Sequence, residues 1–246
     1  MPLILISYII QALLIVHCIK TGRNQLWIWV LAMLPFASII AYVAAELVPD
    51  LLGSRATRRT VRGMKKALDP EADLRRLAQQ AQVSGGIDAR VRYAEELLKL
   101  GRADEAAAQF QQCLRGLYEH DANLMLGLAR AQFAAGKPAD ARATLDALIK
   151  HNPQYRSAEG HLLYARALEA EGDTPRALEE YKVLSGYYPG AEAAVRYAQL
   201  LRGQGQRDEA RGVLKGLLDQ SVVAPAHYRR TQEEWLKQAE RELGAL

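Results

Sequence analysis

Charged side chains are nearly absent from the first 48 residues of this sequence. Only Lys20, Arg23 and Glu46 are charged there, although 24% of the whole chain of 246 residues is charged. Soluble domains carry most of their Lys, Arg, Asp and Glu on the surface, so this composition excludes an ordinary soluble domain for the segment. Most of the acidic and basic residues follow Pro49, which divides the chain into an apolar part and a polar part.

Cysteine and the common catalytic motifs are scarce as well. The two cysteines, Cys18 and Cys113, lie far apart in apolar surroundings, which excludes a disulfide framework or a clustered metal site and agrees with a reducing compartment. The sequence has no phosphate-binding G-x-x-x-x-G-K-[ST] loop, no H-E-x-x-H and no G-x-S-x-G. We therefore expect no cofactor, no metal and no catalytic residue; an unrecognised enzyme would need ionisable groups that converge only in the fold.

Two apolar runs occupy the first 48 residues, Leu3 to Ile19 and Leu26 to Val48, and the hexapeptide KTGRNQ separates them. At about 1.5 Å per residue the runs measure roughly 25 and 34 Å, against a hydrocarbon core of about 30 Å. A cleaved signal peptide is the alternative, because VAA precedes Glu46, but the start lacks basic side chains and a signal peptide has only about 7–15 apolar residues. Residues 1–50 are predicted to form a transmembrane helical hairpin.

A basic stretch follows the hairpin within residues 51–68. The positive-inside rule places such a stretch in the cytoplasm, so both termini are predicted to be cytoplasmic, in a bacterial inner membrane. The same cations would attract anionic lipid headgroups, or they would only set the topology. The cluster lacks interleaved aromatic residues, so we expect no binding to nucleic acid. Its six cations are Arg55, Arg58, Arg59, Arg62, Lys65 and Lys66.

One phrase, a glycine turn followed by an alanine-containing helix, occurs four times in the polar part. The turn glycines lie at intervals of 35, 36 and 33 residues, and an alanine follows each of them by five residues. After that alanine, the i, i+4, i+7, i+8 positions are apolar in every copy except at Ser185. A period near 34 with these features indicates stacked helix-turn-helix units. The glycines are Gly101, Gly136, Gly172 and Gly205.

These residues resemble the tetratricopeptide repeat family over about 87–224. The turn glycine, the small residue of the second helix and the closing prolines Pro153 and Pro189 carry the resemblance. The family's early Trp is absent, and the last proline is displaced to Pro225. The predicted fold is therefore all-α: the transmembrane hairpin, then an α-solenoid of about four repeats over 69–226 and a capping helix over 227–246. The expected repeats are 87–121, 122–157, 158–190 and 191–224.

The hairpin resembles a second family. NQLWIWVLAMLPFASIIAYV is similar to the second helix of the N-terminal two-span module of bacterial cardiolipin synthases and related phospholipase D proteins. None of the five histidines forms the His-x-Lys motif that phospholipase D catalysis uses. The resemblance leaves one alternative function, an accessory subunit of a phospholipid-synthesis or envelope-assembly complex.

The resemblance to tetratricopeptide repeats implies a non-catalytic adaptor or scaffold that binds protein partners in a concave groove lined by the first helix of each repeat. The predicted hairpin would anchor this adaptor to the membrane, with the groove on the cytoplasmic side. A groove of arginines and apolar residues favours a peptide or helix that carries acidic residues and apolar anchors. Alternatively, these residues form a solvated face in which Glu95 and Glu169 neutralise their neighbours. The sequence leaves the oligomeric state and an inverted, periplasmic topology open. The predicted groove residues are Arg92, Lys99, Leu126, Arg130, Phe133, Leu162, Arg166, Arg196 and Arg202.

Overall fold

The computed structural model describes residues 2–21, 26–33, 41–43, 69 and 71–246. Helices dominate, and none of these residues belongs to a β-strand. The chain divides into two compact units, Met1–Ala72 and Asp73–Leu246.

In the first unit, helices α1 (Pro2–Lys20) and α2 (Leu26–Met33) pack against each other. Cys18, Leu31 and Tyr42 form its small buried cluster, and Tyr42 Oη lies 3.1 Å from Nδ1 of His17. The side chains of α1 are described from Tyr8 onward. Among the described residues of the chain, no helix is both long enough and apolar enough to cross a bilayer. Of the second apolar run, only residues 26–33 and 41–43 are described; its other residues and the six cations of the basic stretch lie outside the described residues.

The second unit is an array of helices in which sequential neighbours pack side by side. Helix α3 (Ala72–Ser84) leads into it, and a capping segment closes it. Between them lie four helical pairs, each of which has a first and a second helix. The pairs are α4 (Ile87–Lys99) with α5 (Ala103–Cys113), α6 (Ala122–Ala134) with α7 (Pro138–His151), α8 (Ala158–Glu171) with α9 (Thr174–Tyr187), and α10 (Glu192–Gly203) with α11 (Arg207–Val223).

Local sequence explains where these helices begin and end. All four turn glycines adopt a left-handed conformation, with φ between 75° and 81°, which a residue with a Cβ adopts at a cost. At the other end of the helices, the side chains of Asp121, Ser157 and Asp173 accept hydrogen bonds from free backbone N–H groups of α6, α8 and α9. The helix-ending turn predicted at each repeated glycine is thus confirmed.

The core follows the predicted stripe in every copy at its first three positions and in two copies at the fourth. In the second helices, the alanine five residues after each turn glycine is fully buried, and the i+4 and i+7 side chains are at most 9% exposed. At i+8 the outcome differs between copies: Leu114 and Leu218 are partly buried and pack against the core, whereas the prediction was wrong at Ile149, which is 57% exposed. Ser185, the exception in the sequence pattern, is exposed. The i+8 position lies about 80° around the helix from the first position, at the edge of the stripe, where burial is partial or lost.

One first helix has a polar residue at a position that is leucine in the other three first helices. Gln132 stands where the other copies have Leu97, Leu168 and Leu201, and its Oε1 accepts a hydrogen bond of 2.7 Å from the hydroxyl of Thr144 on the paired helix. A half-buried amide is tolerated there because its acceptor is satisfied.

The capping segment forms two helices where the sequence predicted one. Helix α12 (Ala226–Thr231) and helix α13 (Glu233–Gly244) meet at Gln232, whose backbone leaves the helical conformation at φ −103° and ψ 10°. Oε1 of Gln232 accepts a hydrogen bond of 3.0 Å from the backbone N–H of Ala191, just before α10. This long-range bond holds the break in place, and α13 packs on α10 and α11 as the first helix of a further pair would.

Candidate binding surface

The face of the first helices that carries the predicted arginines is called the inner face below. Its residues have a fixed register to the turn glycine. Arg92 and Arg196 each lie nine residues before it, and Arg130 and Arg166 each lie six before it. The two registers are three residues apart, so they lie about one helical turn from each other on the same side of a helix. Equivalent positions in stacked repeats project from the same side of the array, so the four guanidinium groups share one face although they differ in environment.

Arg166 is held between two neighbouring first helices. Its guanidinium carbon lies 4.8 Å from the ring centroid of Phe133 on α6, and its Nε lies 3.6 Å from Oε1 of Glu192 on α10. The cation–π contact and the ion pair fix this side chain, and its exposed fraction is 34%. Arg166 therefore joins three successive repeats.

Arg196 is engaged more fully. Its Nε donates to Glu192 at 2.8 Å and its Nη1 donates to Glu169 on α8 at 3.1 Å. Its guanidinium also lies 5.4 Å from the ring centroid of Trp235 on the capping helix α13. Burial alone would lower the pKa of Arg196, but the hydrogen bond to Glu192 and the nearby anions raise the pKa instead. The group is a permanently charged structural link between repeats and cap.

Glu169 is the centre of this network. Besides the bond from Arg196, the same oxygen accepts a hydrogen bond of 2.6 Å from the hydroxyl of Tyr181, which is fully buried. Burial and this bond raise the pKa of Tyr181 far above its ordinary value. The predicted neutralisation of a neighbouring cation by Glu169 is confirmed for Arg196.

Arg202 and Lys99 are paired as well. Arg202 Nη1 lies 2.5 Å from Oε2 of Glu242 on α13, and Gln199 donates to the other oxygen of Glu242 at 2.8 Å. Lys99 forms an ion pair of 3.0 Å with Glu96, one helical turn away, so Glu95 is not its partner.

The two remaining arginines differ from the others. Arg92 and Arg130 are exposed, and within the parts of the chain that the structure describes neither forms an ion pair or a hydrogen bond through its side chain. Both belong to the first two repeats. The inner face is thus internally neutralised toward the cap and has open cations toward its N-terminal end.

The leucines of the predicted groove lie elsewhere. Leu126 is 9% exposed and Leu162 is 5% exposed, and both belong to the main core of the array, so the expectation that they line a groove is corrected. They occupy the helical position that faces the next pair, where burying an apolar side chain between packed helices stabilises the fold more than leaving it exposed to water. Phe133 is half-buried beneath Arg166, so apolar contact on this face is limited.

The partners of these arginines were only partly visible in the sequence. Glu192 lies four residues before Arg196 on the same helix, a spacing that predicts a pair. Trp235 and Glu242 belong to the cap, and no local pattern joins them to α10. Among the described residues, no three metal-ligating side chains converge anywhere.

Stacked helical pairs with left-handed glycine turns define the class, an α-solenoid of repeats. Residues 97–167 match one tetratricopeptide repeat sequence model, and residues 158–181 and 187–215 match a second. Within residues 97–215 the array therefore contains tetratricopeptide repeats, and its architecture is that of a tetratricopeptide-type scaffold. The matched ranges begin at Leu97, so they give no support to the likeness of residues 1–50 to the cardiolipin synthase module.

Solved structures show the same fold. A MamA protein is 20% identical with a TM-score of 0.52, covering 64% of this chain and 86% of its own. MamA from residue 41 to its end, from Desulfovibrio magneticus RS-1, is 15% identical with a TM-score of 0.55 and coverages of 66% and 91%. A thermophilic TPR protein of Thermus thermophilus is 19% identical with a TM-score of 0.50 and coverages of 72% and 96%. At these identities the likeness concerns the fold alone. No curated protein matches the chain significantly.

Proposed function

We propose that the protein is a membrane-tethered, non-catalytic adaptor that binds an acidic segment of a partner protein at the N-terminal half of the inner face. One observation carries this proposal: Arg92 and Arg130 are exposed and have no counter-ion among the residues that the structure describes. The other inner-face arginines, Arg166, Arg196 and Arg202, each have one. An arginine that is already paired has little to offer a ligand, because binding would first break its internal contacts.

The free guanidinium groups determine the chemistry of the partner. Arginine presents several N–H donors in a plane and binds carboxylates through two parallel hydrogen bonds. With Leu126 and Leu162 buried, recognition would depend on charge more than on apolar anchors. Exposed Glu95 lies on the same face, at the register of Arg130, and would repel a ligand that is acidic along its whole length. We therefore expect a segment with separated acidic residues.

The test replaces the two free arginines together in the full chain, as Arg92→Glu with Arg130→Glu. We expect protein partners that co-purify with the wild-type protein in mild detergent to be lost or reduced about tenfold or more, because two favourable charge contacts become repulsive. Quantitative mass spectrometry of cross-linked, affinity-purified complexes measures this. Arg166 is not a suitable position for this test, since its replacement would also break the contacts to Phe133 and Glu192.

A matched control changes net charge equally on the opposite helices. Lys182→Glu with Lys215→Glu alters two exposed residues on the second helices α9 and α11. Partners lost from the control variant as well would indicate a general charge effect. Partners retained by the Arg92 and Arg130 variant would refute the inner-face site.

We further propose that residues 1–50 tether the protein to a membrane with both termini in the cytoplasm. The outward side chains of α1 support it: Tyr8, Ile9, Leu13 and Ile19 are each at least 60% exposed in the first unit. A helix that is apolar both toward its partner helix and away from it fits a lipid environment better than water.

Cysteine labelling tests both tether and topology. Ala245→Cys adds an exposed thiol at the C-terminus, while the native Cys18 and Cys113 are 1% and 3% exposed, and burial raises the pKa of the Cys113 thiol. We expect the protein in the membrane fraction of an expressing bacterium, and labelling by a membrane-impermeant maleimide only after spheroplasts are lysed. Labelling of intact spheroplasts would show the inverted topology, and recovery from the soluble fraction would refute the tether.

A further inference from the structure

A cavity of about 660 Å³ lies away from the inner face, between α7, the loop after it, the N-terminal half of α8, and α9. Its volume falls within the range of small-molecule sites in proteins, roughly 300–1,000 Å³. None of the inner-face arginines contributes to its wall, so the adaptor function proposed above does not account for it.

The wall is largely apolar and aromatic. Leu145, Leu148 and Ile149 of α7 form one side, and the rings of Tyr155, Tyr164 and Tyr187 form much of the rest. Ile149 and Tyr187 are 57% and 52% exposed, although large apolar side chains are usually covered. A ligand in the cavity would cover both.

An ordered polar group stands within this apolar wall. Nε2 of His161 lies 2.5 Å from Oε2 of Glu180, and Nδ1 of His161 lies 2.6 Å from the hydroxyl oxygen of Tyr187. A neutral imidazole satisfies both contacts, since Nε2–H donates to the carboxylate and Nδ1 accepts from the tyrosine O–H. His161 thus holds Glu180 and Tyr187 in place.

The charges around the cavity favour a cation. Glu180 and Asp146 are the carboxylates of the wall. Asp146 already pairs with Arg142 at 3.0 Å, whereas among the described hydrogen bonds none uses Oε1 of Glu180. The cationic wall residue, Arg156, is turned to its own loop, where its Nη1 donates to the carbonyl oxygens of Pro153 and Tyr155. The open hydrogen-bonding capacity therefore lies mainly with acceptors, and tyrosine rings add a further attraction for cations.

We propose that this cavity binds a small organic cation, an amine with an apolar or aromatic body whose ammonium group meets Glu180. The body would replace water against Leu148, Ile149 and Tyr187, and the ammonium group would donate to the free oxygen of Glu180. A charge-assisted hydrogen bond in a partly desolvated site is stronger than a neutral one, so the carboxylate supplies selectivity.

Three indole compounds with different head groups test this inference: tryptamine, tryptophol and indole-3-acetate. They share an aromatic body and carry an ammonium, a hydroxyl and a carboxylate, respectively. Calorimetric titration of the full-length protein should show tryptamine binding about tenfold or more tighter than tryptophol. Indole-3-acetate should bind weakest. Equal affinities, or a preference for the carboxylate, would overturn the proposal.

Two variants locate the binding. Glu180→Gln keeps shape and removes charge, and should reduce the preference for tryptamine over tryptophol to about twofold or less. Glu179→Gln is the matched control, because Glu179 is exposed on the same helix and does not line the cavity. If Glu180→Gln fails to fold, Ile149→Trp serves instead, since a larger side chain at this exposed position fills the cavity and should abolish tryptamine binding. Tryptamine binding that survives Ile149→Trp would refute the site.

Discussion

Gly127→Ala is expected to lower the free energy of unfolding by about 1–3 kcal/mol, although alanine is the better helix former. Gly127 is a buried residue within α6, and a Cβ added there would lie 2.4 Å from Cε1 of Phe110, with two further ring atoms within 2.9 Å. The ring is 3% exposed and packed in the core of the first repeats, so it cannot turn away freely. The overlap must be relieved by shifting α5 away from α6, which costs packing along both helices.

The control for this substitution is Gly216→Ala. Gly216 is exposed within α11, and an added Cβ would meet no atom within 4 Å. There the gain in helix propensity stands alone, and we expect about 0.5–1 kcal/mol of stabilisation. Urea unfolding followed by circular dichroism measures both variants. Equal effects of the two substitutions would contradict the close approach of α5 and α6.

Gly127→Ala with Phe110→Leu provides a further check. If the Phe110 ring causes the loss, the smaller side chain should relieve part of it, so the double variant should be more stable than the sum of the two single effects predicts. Additive effects would assign the loss to another contact.

Leu236→Ala is expected to destabilise the protein by about 2–4 kcal/mol and to promote self-association. Leu236 is 9% exposed and belongs to the core that α13 shares with α10 and α11. Its truncation removes buried apolar surface and leaves a space at the end of the array. A repeat array needs a cap over its last apolar face, so a loosened cap exposes Leu214 and Leu217 of α11 to other molecules.

Thermal unfolding and light scattering measure the two consequences. A loss of this size corresponds to a decrease of roughly 4–16 °C in Tm for a domain of this length. Glu240→Ala is the control, because Glu240 is exposed and the cation that it attracts, Lys237, lies on the same helix. Similar Tm values for both variants would mean that α13 does not cover the array.

The cap also affects the inner face, which the sequence did not suggest. Trp235 lies against Arg196, and Glu242 pairs with Arg202, so the charges of the last repeat are satisfied by α13. In the sequence, neither the contact of Arg196 with Trp235 nor the pair of Arg202 with Glu242 is visible, because the cap lies more than 30 residues further along the chain. The contrast between paired and free cations, on which the adaptor proposal rests, became visible only in the folded array.

The sequence alone determined the repeat, its phase and its turns. Two features of each repeat are local: the left-handed turn glycine, and the buried stripe formed by the alanine and the next two apolar positions. They are local because helix period and backbone sterics act within a few residues. The tertiary structure decided which side chains face solvent: Ile149 is exposed at the edge of its stripe, whereas Leu126 and Leu162 are buried in the core. It also decided where the capping segment is interrupted, because Gln232 accepts a hydrogen bond from the backbone N–H of Ala191. These outcomes depend on distances and angles between helices far apart in the chain, and a side chain's own segment does not contain that information.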